Sequence, residues 1–212
     1  MHWIKNLYTK LYNMFGDFIK GGILFVSGKH LSPLNAVQHH NKELKDVVGE
    51  THGEFKYYVI HCLATPISME VHKEDIIHWH MSPVSEGGRG WSRPGYHAIV
   101  LQDGTFEVIR DVDYDENIEG DEMTWGVAGM NKFTLHLGLA GGLDNDKNPM
   151  DTLTDAQRDE LRKHILFVVG KAPWVKICGH YQLNDAKPYC PGWDVPRFCR
   201  EIGLAEQNIY NA

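Results

Sequence analysis

Residues 174–194 read WVKICGHYQLNDAKPYCPGWD. The first five are apolar apart from one lysine and rich in β-branched and aromatic side chains, the composition of a short strand. The rest opposes continuous helix or sheet, because Asn184, Asp185, Pro188, Pro191 and Gly192 break both. A core strand thus runs into an irregular loop that carries an imidazole, His180, and a thiol, Cys190, ten residues apart. Neutral imidazole and thiolate are ligands that zinc prefers, and a catalytic zinc site takes three protein ligands and leaves a fourth position open. The fold therefore turns on which strands lie beside this one, and on which of them ends in a third ligand.

Working outward, residues 133–140 (FTLHLGLA) read as another strand, closed by Gly141-Gly142. Residues 56–62 (KYYVIHC) are a buried strand bounded by Gly53 and by Thr65-Pro66, with His61 at the C-terminal end. Residues 95–101 (GYHAIVL) are a further strand, and the turn Gln102-Asp103-Gly104-Thr105 leads into residues 106–110, so these two should be antiparallel neighbours. Helices fall between them. Residues 71–81 place Ile76, Ile77 and His80 on one face and stop at Ser82-Pro83. Thr154 and Gln157 form a capping box before Leu161, Ile165, Phe167, Val168 and Val169, with Gly170 at the end, and residues 194–202 make a short closing helix. Strands and helices alternating around one mixed sheet predict an α/β (α+β) single domain over residues 55–212, its central sheet flanked by helices.

Residues 1–54 stand apart as an N-terminal extension. Trp3, Ile4, Leu7, Tyr8, Leu11, Phe15, Phe18 and Ile19 recur at three- and four-residue steps, the stripe of an amphipathic helix with Lys5, Lys10 and Asp17 beside it. Either the stripe packs on the following domain, or it lies on a membrane surface, which Trp and Lys in this arrangement suit. No stretch has the ~18 apolar residues of a spanning helix, and no secretory pattern is seen.

A chain of 212 residues buries one sizeable core without demanding a second. With 28 acidic against 21 basic side chains, the net charge of -7 argues against nonspecific affinity for nucleic acid. The four cysteines, Cys62, Cys178, Cys190 and Cys199, include no C-x-x-C pair, which removes a zinc ribbon and a thioredoxin-like motif. Cys62 and Cys178 read as core thiols, and Cys190 as a ligand must be a free thiolate, which fits a reducing compartment at synthesis. Most of the 13 histidines, His39-His40 among them, read as surface residues. His61 at one strand end, His180 just after another strand and Cys190 on the following loop make a two-His, one-Cys set with an open position, which fits catalytic zinc better than a closed structural site.

The order and context of these residues resemble the zinc-dependent N-acetylmuramoyl-L-alanine amidases of the type-2 family, which includes short phage amidases and animal peptidoglycan recognition proteins. The resemblance covers residues 55–204. VIHCLAT (59–65) looks like the first ligand strand; Trp79-His80, Gly90-Trp91 and Gly95-Tyr96-His97 look like the helix, loop and strand that wall the substrate groove. QDGT resembles the family hairpin, LGLAGGLD (137–144) the central strand and glycine pair, and Gly179-His180 with CPGWDV (190–195) the closing ligand loop.

The resemblance implies one Zn2+ held by His61, His180 and Cys190, and hydrolysis of the amide between N-acetylmuramic acid and L-alanine in bacterial peptidoglycan, as in a phage or prophage endolysin. It implies Tyr96 as the group that orients or deprotonates the attacking water, and Trp79, His80, Trp91 and His97 as substrate contacts. Lys187 is assigned to the oxyanion, although it stands three residues before Cys190 where the short phage members have a lysine two before. The His-to-Cys gap is ten steps instead of eight, and Trp125-Gly126-Val127-Ala128 lacks a histidine that many relatives carry. A monomer made in the host cytoplasm without a cleavable signal, acting on the cell wall, is expected. Two other readings stay open: a peptidoglycan-binding module without catalysis, whose members commonly lack the cysteine, and a structural zinc knot, which the missing fourth ligand weighs against.

Overall fold

The computed structural model describes residues 53–211. In chain order the elements are β1 (Gly53–Glu54), β2 (Tyr57–Cys62), β3 (Thr65–Pro66), α1 (Lys73–Met81), β4 (Ala98–Val100), β5 (Phe106–Val108), β6 (Asn117–Ile118), β7 (Thr134–Leu139), β8 (Gly142–Leu143), α2 (Asp155–Lys171), β9 (Lys176–Gly179) and α3 (Val195–Glu201). The main sheet has five strands in the order β5-β4-β7-β2-β9. β4, β7, β2 and β9 run parallel, and β5 turns back antiparallel to β4 across the expected hairpin. A parallel strand covered on both faces must be apolar throughout. β2 and β7 meet that demand at Tyr58, Val59, Ile60, Leu135, Leu137 and Leu139, all buried, and depart from it at His61, Thr134 and His136.

Side chains from the helices brace the sheet. The Thr154 hydroxyl accepts from Gln157 N–H (3.1 Å) and the Gln157 side-chain oxygen accepts from Thr154 N–H (3.2 Å), the capping box expected at the start of α2. The amide nitrogen of the same Gln157 donates to the carbonyls of Val100 and Ala140 (3.2 and 2.9 Å), tying α2 to the ends of β4 and β7. Lys73 N–H at the start of α1 donates to the Glu107 carboxylate on β5 (2.7 Å). Asp194 caps α3 by accepting from Arg197 N–H (2.9 Å).

The register of β2 against β9 decides where the functional groups emerge. Ile60 pairs with Gly179, so the next residue on each strand, His61 and His180, leaves the sheet beside the other. Gly142, at φ +96°, lets the β8 turn close on this edge, since a Cβ there would lie 2.6 Å from Cys62 Sγ.

Several expectations need correction. β4 holds three residues instead of seven, because Gly95 N–H is drawn to His80 Nδ1 (3.0 Å) and the His97 carbonyl takes N–H groups from both Ile109 and Arg110. β9 begins at Lys176: the Trp174 indole N–H reaches sideways to the Phe55 carbonyl (3.0 Å). Ile77 is 38% exposed, while Ile76 and His80, four apart, form the inner face of α1. The ladders β1-β6 and β3-β8 are too short to be read from a pattern.

The chain divides between residues 49 and 50, and the described residues belong to the second unit. The expected amphipathic helix and nearly all of the 1–54 extension lie outside the described residues. No helix among the described residues is long and apolar enough to cross a membrane.

Candidate metal centre

His61 ends β2, His180 opens the single helical turn after β9, and Cys190 arrives from the loop that begins there. The loop is folded back by main-chain bonds: Cys190 N–H donates to the Lys187 carbonyl (3.1 Å), and the Cys190 carbonyl accepts from Tyr181 N–H (2.9 Å). One ligand atom from each of His61, His180 and Cys190 lies within 4.8 Å of the others. Cys190 Sγ is 3.9 Å from His61 Nδ1, and the two imidazole rings are 4.5 Å apart at 64°. The three residues can hold a metal ion.

Whether they suit one is decided by their free atoms. His61 and His180 are 1% and 8% exposed, and His180 Nε2 is buried without a hydrogen-bond partner among the described residues. An orphaned ring nitrogen costs free energy unless something fills its lone pair. Burial, with His180 next to it, holds His61 well below the usual histidine range, and burial, with Lys187 adding to it, lowers His180 to about 4. Both imidazoles are thus neutral at pH 7, the form that ligates. Cys190 shares a hydrogen bond with the Cys62 thiol, and the pair parts with one proton far more readily than two: Cys62 falls to about 7 while Cys190 is pushed up. A cation held by His61, His180 and Cys190 would favour the thiolate at Cys190 instead.

The other residues singled out from the sequence divide. The Tyr96 ring is 5.1 Å from that of His61, and burial raises its hydroxyl above the ordinary tyrosine value. His80 stacks on Trp91 (5.0 Å, 23°) and meets Tyr96 edge-on (5.4 Å), so Trp91, His80, Tyr96 and His61 form a continuous aromatic row. Lys187 is exposed on the same loop, and its charge adds to the lowering of His180 and Cys62 and opposes the rise of Cys190. Trp79 and His97 are placed differently. Trp79 packs against the cluster of Val71, Ile76 and Ile99. His97 is buried with both nitrogens engaged, Nε2 donating to the Glu122 carbonyl (3.0 Å) and Nδ1 accepting from His136 N–H (2.8 Å).

Three neighbours escape a reading of the sequence. His136, in the middle of β7, lies with Nδ1 3.1 Å from His61 Nε2. Its only signal is a polar residue inside an apolar strand. Cys62 is half-buried and lies against the site, its N–H donating to Cys190 Sγ (3.4 Å), because the strand ends there and the loop folds over it. Arg89 places its guanidinium 5.1 Å from the Trp91 ring and extends the aromatic row with a charge.

No family model matches the chain. Its sequence is 30% identical over 147 residues to the endolysin of Enterobacteria phage K11, covering 69% of this chain and 87% of that endolysin. It is 32% identical over 142 residues to the endolysin of Escherichia phage T7, covering 66% and 82%. In fold it matches the N-acetylmuramoyl-L-alanine amidase LysC from Clostridium intestinale with a TM-score of 0.53 at 17% identity, over 72% of this chain and 88% of that one.

Proposed function

The chain belongs to the phage endolysin family and has the type-2 amidase fold, and on that footing we propose that it is a zinc-dependent N-acetylmuramoyl-L-alanine amidase. The observation that carries this reading is the meeting of His61, His180 and Cys190, with a buried nitrogen of His180 left without a partner among the described residues. Two imidazoles and one thiolate match zinc in its catalytic form, and among the described residues no fourth ligand joins the set. When bound there, zinc supplies a Lewis acid for the scissile carbonyl and lowers the pKa of water toward ~7.

The reaction adds water across one amide bond: the hydroxyl joins the lactyl carbonyl carbon, the C–N bond breaks, and the alanine nitrogen leaves with the second proton. Tyr96 stands beside the His61 ring, and burial keeps its hydroxyl protonated through neutral pH. It acts as a hydrogen-bond donor and acceptor that orients the water, without becoming a phenolate. Lys187 brings positive charge to the ligand loop and stabilises the oxyanion that develops on the carbonyl. Trp91, backed by the buried His80 ring stacked against it, offers the flat aromatic face on which sugar or stem peptide rests. Peptidoglycan of the bacterial cell wall is the substrate.

A non-catalytic binding module needs no thiolate at position 190. The test is elemental analysis with mass spectrometry of digested muropeptides. The native chain is expected to carry one zinc and to release free stem peptides from the glycan, and Cys190→Ala to lose both. A Cys190→Ala variant that clears cell walls at the native rate would refute the assignment.

A further inference from the structure

His61 faces Cys190 through Nδ1, so it can ligate there only if the proton of its neutral ring sits on Nε2. The fold contains a chain of groups that puts it there, and the chain starts at a main-chain oxygen. The Met130 carbonyl only accepts, and Thr134 Oγ1 donates to it at 3.0 Å, which commits the single hydroxyl proton of Thr134. Toward His136 Nε2, 2.9 Å away, Thr134 Oγ1 then has only lone pairs, and that nitrogen must carry a hydrogen. His136 is 0% exposed, and its ring bonds to a hydroxyl and an imidazole, neither of which compensates a positive charge. The ring is therefore neutral and its Nδ1 is a bare acceptor. His61 Nε2, 3.1 Å from it, must donate, which leaves His61 Nδ1 with its lone pair toward Cys190 Sγ.

The relay is also held still. The His136 ring stacks on His97 (5.6 Å, 19°), which is itself pinned at both nitrogens. At Gly126 the main chain closes on the same ring, where a Cβ would lie 2.4 Å from it. We propose that Thr134 and His136 are positioning residues that lock His61 in the Nε2-protonated tautomer and so prepare its Nδ1 for the metal. The proposal rests on the zinc reading above and deepens it. A metal-bound histidine commonly gives its second N–H to a carboxylate or a carbonyl, which fixes tautomer and ring orientation. Here an imidazole takes that place and passes the requirement on to a carbonyl through a hydroxyl.

The first measurement needs no variant: long-range 1H–15N correlation spectra of the metal-free full chain with labelled histidine. His61 and His136 are both expected as Nε2–H tautomers, and a proton on Nδ1 of either ring would overturn the relay. The second is the zinc dissociation constant by chelator competition. His136→Leu should weaken zinc by about 10- to 100-fold. His136→Asn, whose carboxamide oxygen can sit where Nδ1 sat, should recover most of the loss. Thr134→Val keeps the His136 ring but frees its tautomer, and should give mixed tautomers at His136 with a few-fold weaker zinc. Folded His136→Leu and Thr134→Val chains that bind zinc as tightly as the native one would overturn the proposal and leave the zinc reading standing. A native chain that takes up no zinc would sink both.

Discussion

At the scale of the residue, the candidate ligands are more legible in the sequence than the groups beside them. Few side chains suit zinc, so a histidine ending a buried strand and a His-Cys pair on a loop narrow the choice to His61, His180 and Cys190, which the fold brings within 4.8 Å. His136 and Cys62 carry no comparable mark, because what makes them matter is a partner 75 or 128 positions away. Tyr96 and Lys187 can be tested separately from the metal. Tyr96→Phe keeps the ring beside His61 and removes only the hydroxyl; turnover should fall by about 10²-fold or more with zinc content unchanged. Lys187→Met should lower kcat by about 10²-fold, the usual loss for one oxyanion donor, again at full zinc occupancy. A Lys187→Met enzyme of native kcat would assign the oxyanion to another donor.

At the scale of the element, hydrophobic period and caps located β2, β7, α2 and α3 within a residue or two of their observed ends. The truncated β4 and the late start of β9 were hidden, because their limits are set by hydrogen bonds with distant segments: Gly95 to His80, Trp174 to Phe55. Gln157 illustrates both sides. Its place three residues after Thr154 marks the capping box, yet nothing local tells that its amide also reaches two strand ends. Gln157→Leu loses the cap partner and leaves the Ala140 carbonyl without this donor. Urea unfolding should show a loss of about 2 kcal/mol, while a Gln157→Leu chain as stable as the native one would mean that α2 is held by its apolar face alone.

At the scale of the whole molecule, the sequence supports a mixed sheet but not its order. Which parallel strands are neighbours depends on crossovers, and only the observed register of Ile60 against Gly179 explains why the site lies at this edge. Buried histidines also set the acid limit of the fold. His164 packs among Tyr58, Phe106, Tyr114 and Phe167, and burial lowers it to about 4. His80 is lowered to about 4 and His97 to about 3, again chiefly by burial. Unfolded histidine titrates near 6.5, so from there down to about 4 the unfolded chain binds more protons than the folded one. Stability is therefore full above pH 6.5 and is lost as pH falls through that window. His164→Phe should flatten the dependence and gain about 2 kcal/mol relative to the native chain at pH 5, compared with pH 7. Equal acid midpoints in thermal melts would assign the loss to other groups. Removing residues 1–50 should leave hydrolysis of soluble muropeptides at the native rate, and loss of folding would tie that segment to the core.

His61 and Cys190 are 129 positions apart, and the strand that brings them together, β9, is the edge of the sheet and the last to be made. A nascent chain that has not reached Cys190 therefore lacks one of the three candidate ligands, however well its earlier strands have paired. On the proposed reading, lytic power arrives at one moment of synthesis, once that residue is in place. Chains stalled short of position 190 should be inert toward cell walls, and metal uptake by progressively longer nascent chains would time that moment.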